Sequence, residues 1–215
     1  MNIFMRRLEI LHTSSPVTMD IRTQEFETYY RYLRGISPRG RIYKRYFSSP
    51  FLFVCARRHG PRIIEVGSGV GSGVLGAFPA SVVGLDINPF AVEFSKNAGL
   101  RASLINDDGS FPFEDGAFDS CILDNVLEHI AEPKRVLDEC SRVTGRNGGL
   151  VISVPGIRGF AWDADHKIFY DEARLKQLDH RWSLTRLFSL PAFIRSTALS
   201  KSMKQYCVVA VYRKA

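Results

Sequence analysis

The chain has little cysteine, no long apolar run and no internal repeat. Its four cysteines, Cys55, Cys121, Cys140 and Cys207, form no CxxC pair and no dense framework. Nothing in that spacing suggests a disulfide-stapled scaffold. Cys121 and Cys207 fall in strand-like apolar runs, where a small buried thiol is the simplest reading. No stretch approaches the roughly 18 apolar residues of a membrane span. The first residues, MNIFMRRLEILHTSS, match a signal peptide poorly: Arg6-Arg7 precedes only Leu8–Leu11, and Glu9 interrupts that run. The expected setting is reducing and cytoplasmic. Low-complexity segments are also missing. With 45% hydrophobic and 24% charged residues, the 215-residue chain reads as globular, one domain plus an extension.

Acidic residues are scarce in one place. Residues 1–60 hold 11 Lys/Arg against 4 Asp/Glu, a balance of +7, which is the whole net charge of the chain. Residues 61–215 hold 18 of each. The excess is densest from Arg31 to Arg45, where cations interleave with tyrosines. Such a segment suits phosphates, nucleic acid or an anionic membrane surface. A solvated helix face with its tyrosines packed on the core explains it equally well.

Breakers and periodicity divide the rest. A helix is expected from Asp20 to about Arg34, broken by Gly35 and Ser37-Pro38-Arg39-Gly40, and another from Ile42 to Arg58. Gly60-Pro61 marks the entry to the core domain, giving residues 1–60 as a basic, aromatic-rich helical cap and 61–215 as the main domain. From there strand-like and helix-like segments alternate. Strands are expected at Arg62–Val66, Ser81–Asp86, Ala102–Ile105, Phe118–Leu123 and Leu150–Val154, with last strands at Trp182–Phe188 and Gln205–Arg213. Asn88-Pro89 starts a helix, with Asn as N-cap and Pro at the first position. Pro133–Val143 is a helix with Val136, Leu137, Cys140 and Val143 on one face. This alternation implies an α/β fold, a parallel sheet covered on both faces, with ligands at the carboxyl ends of its strands.

The most specific stretch follows the first strand. Gly67, Gly69 and Gly71 alternate after Ile63-Ile64-Glu65-Val66. Glycines let a turn bring backbone N–H groups close to a ligand. A literal GxGxxG, Gly71-Ser-Gly73-Val-Leu-Gly76, tests a dinucleotide reading. Its first glycine should directly follow the strand, and a ribose-binding acid should come about 20 residues later. Asp86 is too near Gly71 but well placed from Gly67, so Gly67-x-Gly69-x-Gly71 is the working loop. Glu65 would repel a pyrophosphate and welcome a cationic amine.

EVGSGVG, GLDINP, NDDGSFPFEDGAFD, LDNVLEHI and GGLVISVP occur in that order. Together they resemble class I S-adenosylmethionine-dependent methyltransferases over about residues 61–180, most of all the branch that methylates small molecules, quinones, lipids and sugars. The resemblance implies a Rossmann-like, doubly wound, mostly parallel seven-stranded sheet. It implies S-adenosyl-L-methionine as cofactor and S-adenosyl-L-homocysteine as product. Glu65, Gly67, Gly69 and Gly71 would hold the methionine part. Asp86 would take both ribose hydroxyls, Ile87 would pack on the adenine, and Asp107 would accept from the adenine amino group, with Asp108 its rival by one position. Asn125 would line the methionine end. The resemblance does not extend to residues 1–60.

Methyl transfer from a sulfonium needs alignment and exclusion of water more than a universal catalytic residue. An oxygen or nitrogen acceptor still needs a base, and Glu128, His129 and His166 are the candidates. Some metal-binding relatives carry Glu-x-x-Glu-His here with a later His. This chain reads Asn125-x-x-Glu128-His129, without the first carboxylate, and three ligands suit a hard cation poorly. No metal is expected. The fourth strand ends Asp124-Asn125-Val126-Leu127, which lacks the Asn/Asp-Pro-Pro-aromatic motif of DNA amino-methylating enzymes. The leading expectation is an enzyme acting on a small or carrier-linked acceptor, a sugar, lipid or quinone-like hydroxyl, anionic where it carries phosphate, with peripheral contact to an anionic membrane. An RNA methyltransferase using Arg31–Arg45, and an inactive cofactor-binding partner subunit, are the alternatives.

Overall fold

The computed structural model describes residues 24–31, 34–35, 38–191 and 193–215. The expectations for residues 1–23 and for the side chains of Arg39 and Arg41 lie outside the described residues. Among the described residues the first helix, α1, covers residues 24–31. Pro38 starts α2 (Pro38–Tyr43), where a chain break was expected. A wider π-helical turn, Lys44–Ser48, leads directly into α3 (Ser49–Arg57), with Pro50 in its first turn. Proline suits that place because the first N–H groups of a helix have no partner within it.

Seven strands form one sheet: β1 (Ile63–Val66), β2 (Val82–Asp86), β3 (Ala102–Leu104), β4 (Phe118–Asp124), β5 (Thr144–Pro155), β6 (Trp182–Leu190) and β7 (Cys207–Lys214). Their order is β3-β2-β1-β4-β5-β7-β6. The first five run parallel, and β7 lies antiparallel between β5 and β6. The crossovers are α4 (Val74–Ala77), α5 (Pro89–Asn97) and α6 (Lys134–Val143). Short helices α7 (Ile157–Trp162), α8 (Glu172–Lys176) and α9 (Thr197–Ser202) follow β5 and β6. Four of the first five strands match the expected ranges closely. β5 begins at Thr144, well before the expected Leu150.

Alternate residues of the strands feed two cores. Ile64, Leu123 and Ile152 pack with Leu137, Cys140 and Val143 of α6 on one face. Ile63, Ile122 and Val151 pack with Leu52, Cys55 and Ala56 of α3 on the other. The second core therefore begins in α3, inside the segment assigned from sequence to a cap. Cys121 and Cys140 are free, buried thiols, as small hydrophobes in strands and helices often are.

The chain winds outward in one direction through β1, β2 and β3, then in the other through β4 and β5. The crevice between β1 and β4 is thus the switch point, where open α/β sheets bind ligands. Among the described residues no helix is long and apolar enough to cross a membrane.

Candidate active site

A small cleft of about 60 Å³ opens at this switch point. Gly67, Gly69, Asp86, Ile87 and Asn125 line it. Gly67 has φ +75° and Gly69 φ +52°, so the turn uses backbone that other residues rarely adopt. A Cβ on Gly67 would stand 2.4 Å from a methyl of Val126. The glycine keeps that wall close to the strand ends.

Asp86 closes β2 and is buried. Its Oδ2 accepts from the Gly69 N–H at 2.7 Å, and its Oδ1 from the Asn88 N–H at 2.8 Å. Burial raises its carboxyl, and those N–H groups oppose the rise. Each oxygen keeps a lone pair for a ligand hydroxyl. Asn88 caps α5 by accepting from Phe90 and Ala91 N–H, as its sequence implied. Its side-chain amide also donates to the Phe26 carbonyl at 2.8 Å.

Glu65 is a correction. It was expected beside the ligand's methionine end, yet it does not line the cleft. Its oxygens accept from the N–H groups of Val74 and Leu75 at 3.1 and 2.6 Å, capping α4 from within the protein. Burial pushes its carboxyl up to about 7. Gly71 is likewise structural: a Cβ there would meet Leu100 at 2.3 Å. Asp107 and Asp108 are exposed and do not line the cleft. Asp108 closes a turn, its Oδ1 accepting from the Ser110 N–H and hydroxyl.

Two lining residues escaped the sequence reading. Phe26 and Tyr29 of α1 stand over the cleft. The Tyr30 ring packs on Phe90 and Phe94 of α5, and the Arg34 guanidinium lies 5.3 Å from the Phe94 ring. The helical spacing of Phe26, Tyr29 and Tyr30 was the available signal. The described cations of the basic segment all meet the protein itself. Arg31 pairs with Glu27, Lys44 with Asp124, and Arg45 donates to the Gly76 carbonyl.

A second, wider cleft of about 660 Å³ adjoins the first, and Tyr29, Asn125, His129 and Asp165 line both. His129 and His166 meet here, ring centroids 4.6 Å apart. The cause is main-chain: the Glu128 carbonyl accepts from Lys167 and Ile168 N–H, tying the later segment to the turn after β4. His166 Nδ1 lies 2.8 Å from the Phe160 carbonyl oxygen, which assigns its proton there and leaves Nε2 toward Glu128 Oε1 at 3.9 Å. His129 Nδ1 is 3.6 Å from Asp165 Oδ2. Burial, then the neighbouring His166, lowers the His129 imidazole below its ordinary range. Glu128 is fully buried, and neither of its oxygens has a hydrogen-bond partner among the described residues. Burial pushes it up to about 8. Ligand atoms of Glu128, His129 and His166 lie within 4.8 Å of one another. Asn125, in left-handed backbone at φ +54°, donates instead to Asp124 Oδ1 at 2.8 Å.

Residues 64–152 match the family described as a methyltransferase domain. An uncharacterized methyltransferase of Mycobacterium sp. (strain KMS) is 34% identical over 97 residues, 43% of this chain and 38% of that protein. A demethylmenaquinone methyltransferase of Clavibacter sepedonicus is 33% identical over 99 residues, 43% and 40% of the two chains. The chain spans less than half the length of these curated relatives. A solved S-adenosylmethionine-dependent methyltransferase from Aquifex aeolicus superposes with a TM-score of 0.59 at 15% identity, covering 90% of this chain and 98% of the other. Glycine turn, strand-end acid, sheet order and these likenesses agree: residues 64–152 match the methyltransferase-domain family, and the chain has the fold of a solved S-adenosylmethionine-dependent methyltransferase.

Proposed function

We propose that the protein transfers a methyl group to a small or carrier-linked acceptor bearing a hydroxyl or similar nucleophile, in a reducing, cytoplasmic setting. The observation that carries this reading is the junction of the two clefts, where Asn125 and His129 belong to both. The cofactor's features fit the first cleft. A buried carboxylate with free lone pairs suits a ribose diol, and a glycine turn free of side chains suits a closely held ligand. Asp86 would hold the ribose, Ile87 the adenine face, and Gly67 and Gly69 the central chain. When bound, S-adenosylmethionine supplies a methyl group on a sulfonium, open to direct displacement.

The chain's own residues then align and shield. Phe26 and Tyr29 cover the first cleft and exclude water. The acceptor enters through the second cleft. His129, held neutral near pH 7 by its burial, takes the acceptor's proton, and Asp165 stabilises the imidazolium that forms. His166 orients the acceptor or the His129 ring. The names of relatives, among them a demethylmenaquinone methyltransferase and a geranyl diphosphate C-methyltransferase, support an apolar or phosphate-bearing acceptor. Lys44 turns inward to Asp124, which takes one cation from a nucleic-acid arm, while Arg31 and Arg45 stay exposed.

Calorimetry with S-adenosylhomocysteine tests the cofactor site. Asp86→Ala should abolish measurable binding while thermal melting shows a folded protein. Unchanged affinity would overturn the assignment.

A further inference from the structure

Two segments of the chain lack acidic residues altogether. Residues 28–64 hold nine Lys/Arg and no Asp or Glu, and residues 180–215 hold seven and none. The fold joins them at α3 and the end of β6. The Phe51 ring meets that of Phe188 in β6 at 5.1 Å and that of Phe193, just past the strand, at 5.3 Å. Leu52, Cys55 and Ala56 turn into the core, so Phe47, Phe51, Val54 and Arg58 share the opposite face of the helix. Phe47 is 63% exposed, Val54 52%, and Phe193 and Ile194 62% each. Phe193 also holds left-handed backbone at φ +55°, which bulky residues rarely adopt. Arg58 and Arg186 stand near enough to Cys55 to act on its thiol together, against the effect of burial. Both are exposed, and no carboxylate is among the influences on that thiol. β5 and β6 each pair antiparallel with β7, so β6 runs with the parallel strands. Phe193 and Ile194 therefore leave the sheet at the end that carries the clefts.

Exposed apolar side chains gathered in this way mark an interaction surface. Its charge selects the occupant. Two copies of the chain meeting through this face would set the arginines of each against like charge, with no acid there to answer them. A nucleic acid would use the cations and the rings, but Val54 and Ile194 offer no plane on which a base stacks. Phenyl and aliphatic groups beside unanswered arginines are what an interfacial lipid-binding face needs. We infer that the outer face of α3 and residues 193–194 docks the protein on an anionic lipid surface. Phe47, Val54, Phe193 and Ile194 enter the boundary between headgroups and acyl chains, and Arg58 and Arg186 meet lipid phosphates. The contact is thus made by α3 and the end of β6 rather than by Arg31–Arg45. Resting on the methyl-transfer reading above, the shared end of the sheet lets a lipid-borne acceptor approach the clefts from the bilayer.

The test is co-sedimentation of the full chain with vesicles of phosphatidylcholine and of its equal mixture with phosphatidylglycerol. Wild type should bind the anionic vesicles at least about tenfold more tightly. The double variant Arg58→Gln/Arg186→Gln should weaken that binding roughly thirtyfold, at about fivefold for each arginine near such a surface. Phe193→Ser/Ile194→Ser should weaken it about tenfold or more, through lost apolar insertion. All four side chains are exposed, so both variants should melt as wild type does. Wild type that ignores anionic vesicles, or binds neutral ones equally well, would overturn the inference, and so would variants that bind as wild type does. Dimerisation of wild type in sedimentation velocity, lost in Phe193→Ser/Ile194→Ser and without vesicle binding, would give the face to a second copy and overturn the inference too. Calorimetry with S-adenosylhomocysteine should give one affinity for all three proteins. Failure of the docking face would leave that binding intact, whereas wild type that binds no S-adenosylhomocysteine would overturn the methyl-transfer reading and leave the docking face standing.

Discussion

Glu128→Gln should change how stability depends on pH, and its direction can be worked out. Glu128 is fully buried after β4, with neither oxygen hydrogen-bonded among the described residues. Burial is the main cause that carries its carboxyl from 4.5 to about 8; Asp124 and Asp163 add to it, and Lys44 opposes. Between those two values the native state keeps the proton and the unfolded state has lost it. The unfolded state then binds fewer protons, so stability falls as pH rises through this window. At about 1.4 kcal/mol per pH unit, full ionisation costs the native state on the order of 4–5 kcal/mol. That is a large share of a typical stability of about 5–15 kcal/mol. Glutamine has nearly the same shape and cannot ionise. Urea denaturation from pH 5 to 9 would compare the two proteins. Their stabilities should be similar near pH 5, and the variant should lead by several kcal/mol near pH 9. The comparison cancels Glu65, whose carboxyl at about 7 adds a slope of the same sign. It also cancels His129, whose lowered imidazole acts oppositely, since its stability contribution is lost as pH falls below 6.5. Parallel pH profiles, or a variant less stable at pH 9, would refute the reasoning.

Gly67→Ala should destabilise by about 2–5 kcal/mol, from left-handed strain and overpacking against Val126 together. Urea midpoints measure this, and a loss below about 1 kcal/mol would show that the turn relaxes freely. By NMR, His129 should titrate below 6.5 and should move upward in His166→Gln, because His166 is its second depressing influence. A wild-type value at or above 6.5 would remove the neutral base from the proposed mechanism.

Much of the site was legible because its signals are local. The alternate glycines demand positive φ within a few residues, and the structure shows it at Gly67, Gly69 and Gly71. Asn88-Pro89 caps its own helix. The distance from Gly67 to Asp86 located a strand-end acid without knowledge of the strand order. Other assignments failed where a side chain had two choices at equal sequence cost. Glu65 could face the ligand or the α4 N-terminus, and the N–H groups of Val74 and Leu75 claim it. Asp108 could meet a base or close its own turn, and Ser110 holds it in the turn.

By itself, then, the sequence determined the alternating α/β architecture, the glycine turn and the acid that faces it. Periodicity and backbone preference act over a few residues, and those suffice. Only the tertiary structure decided that α1 covers the cleft, that His166 meets His129, and that Lys44 reaches Asp124. Those meetings depend on where crossovers return the chain. The balance of burial against partner charge that sets Glu128, His129 and Lys44 exists only once distant segments share one desolvated space.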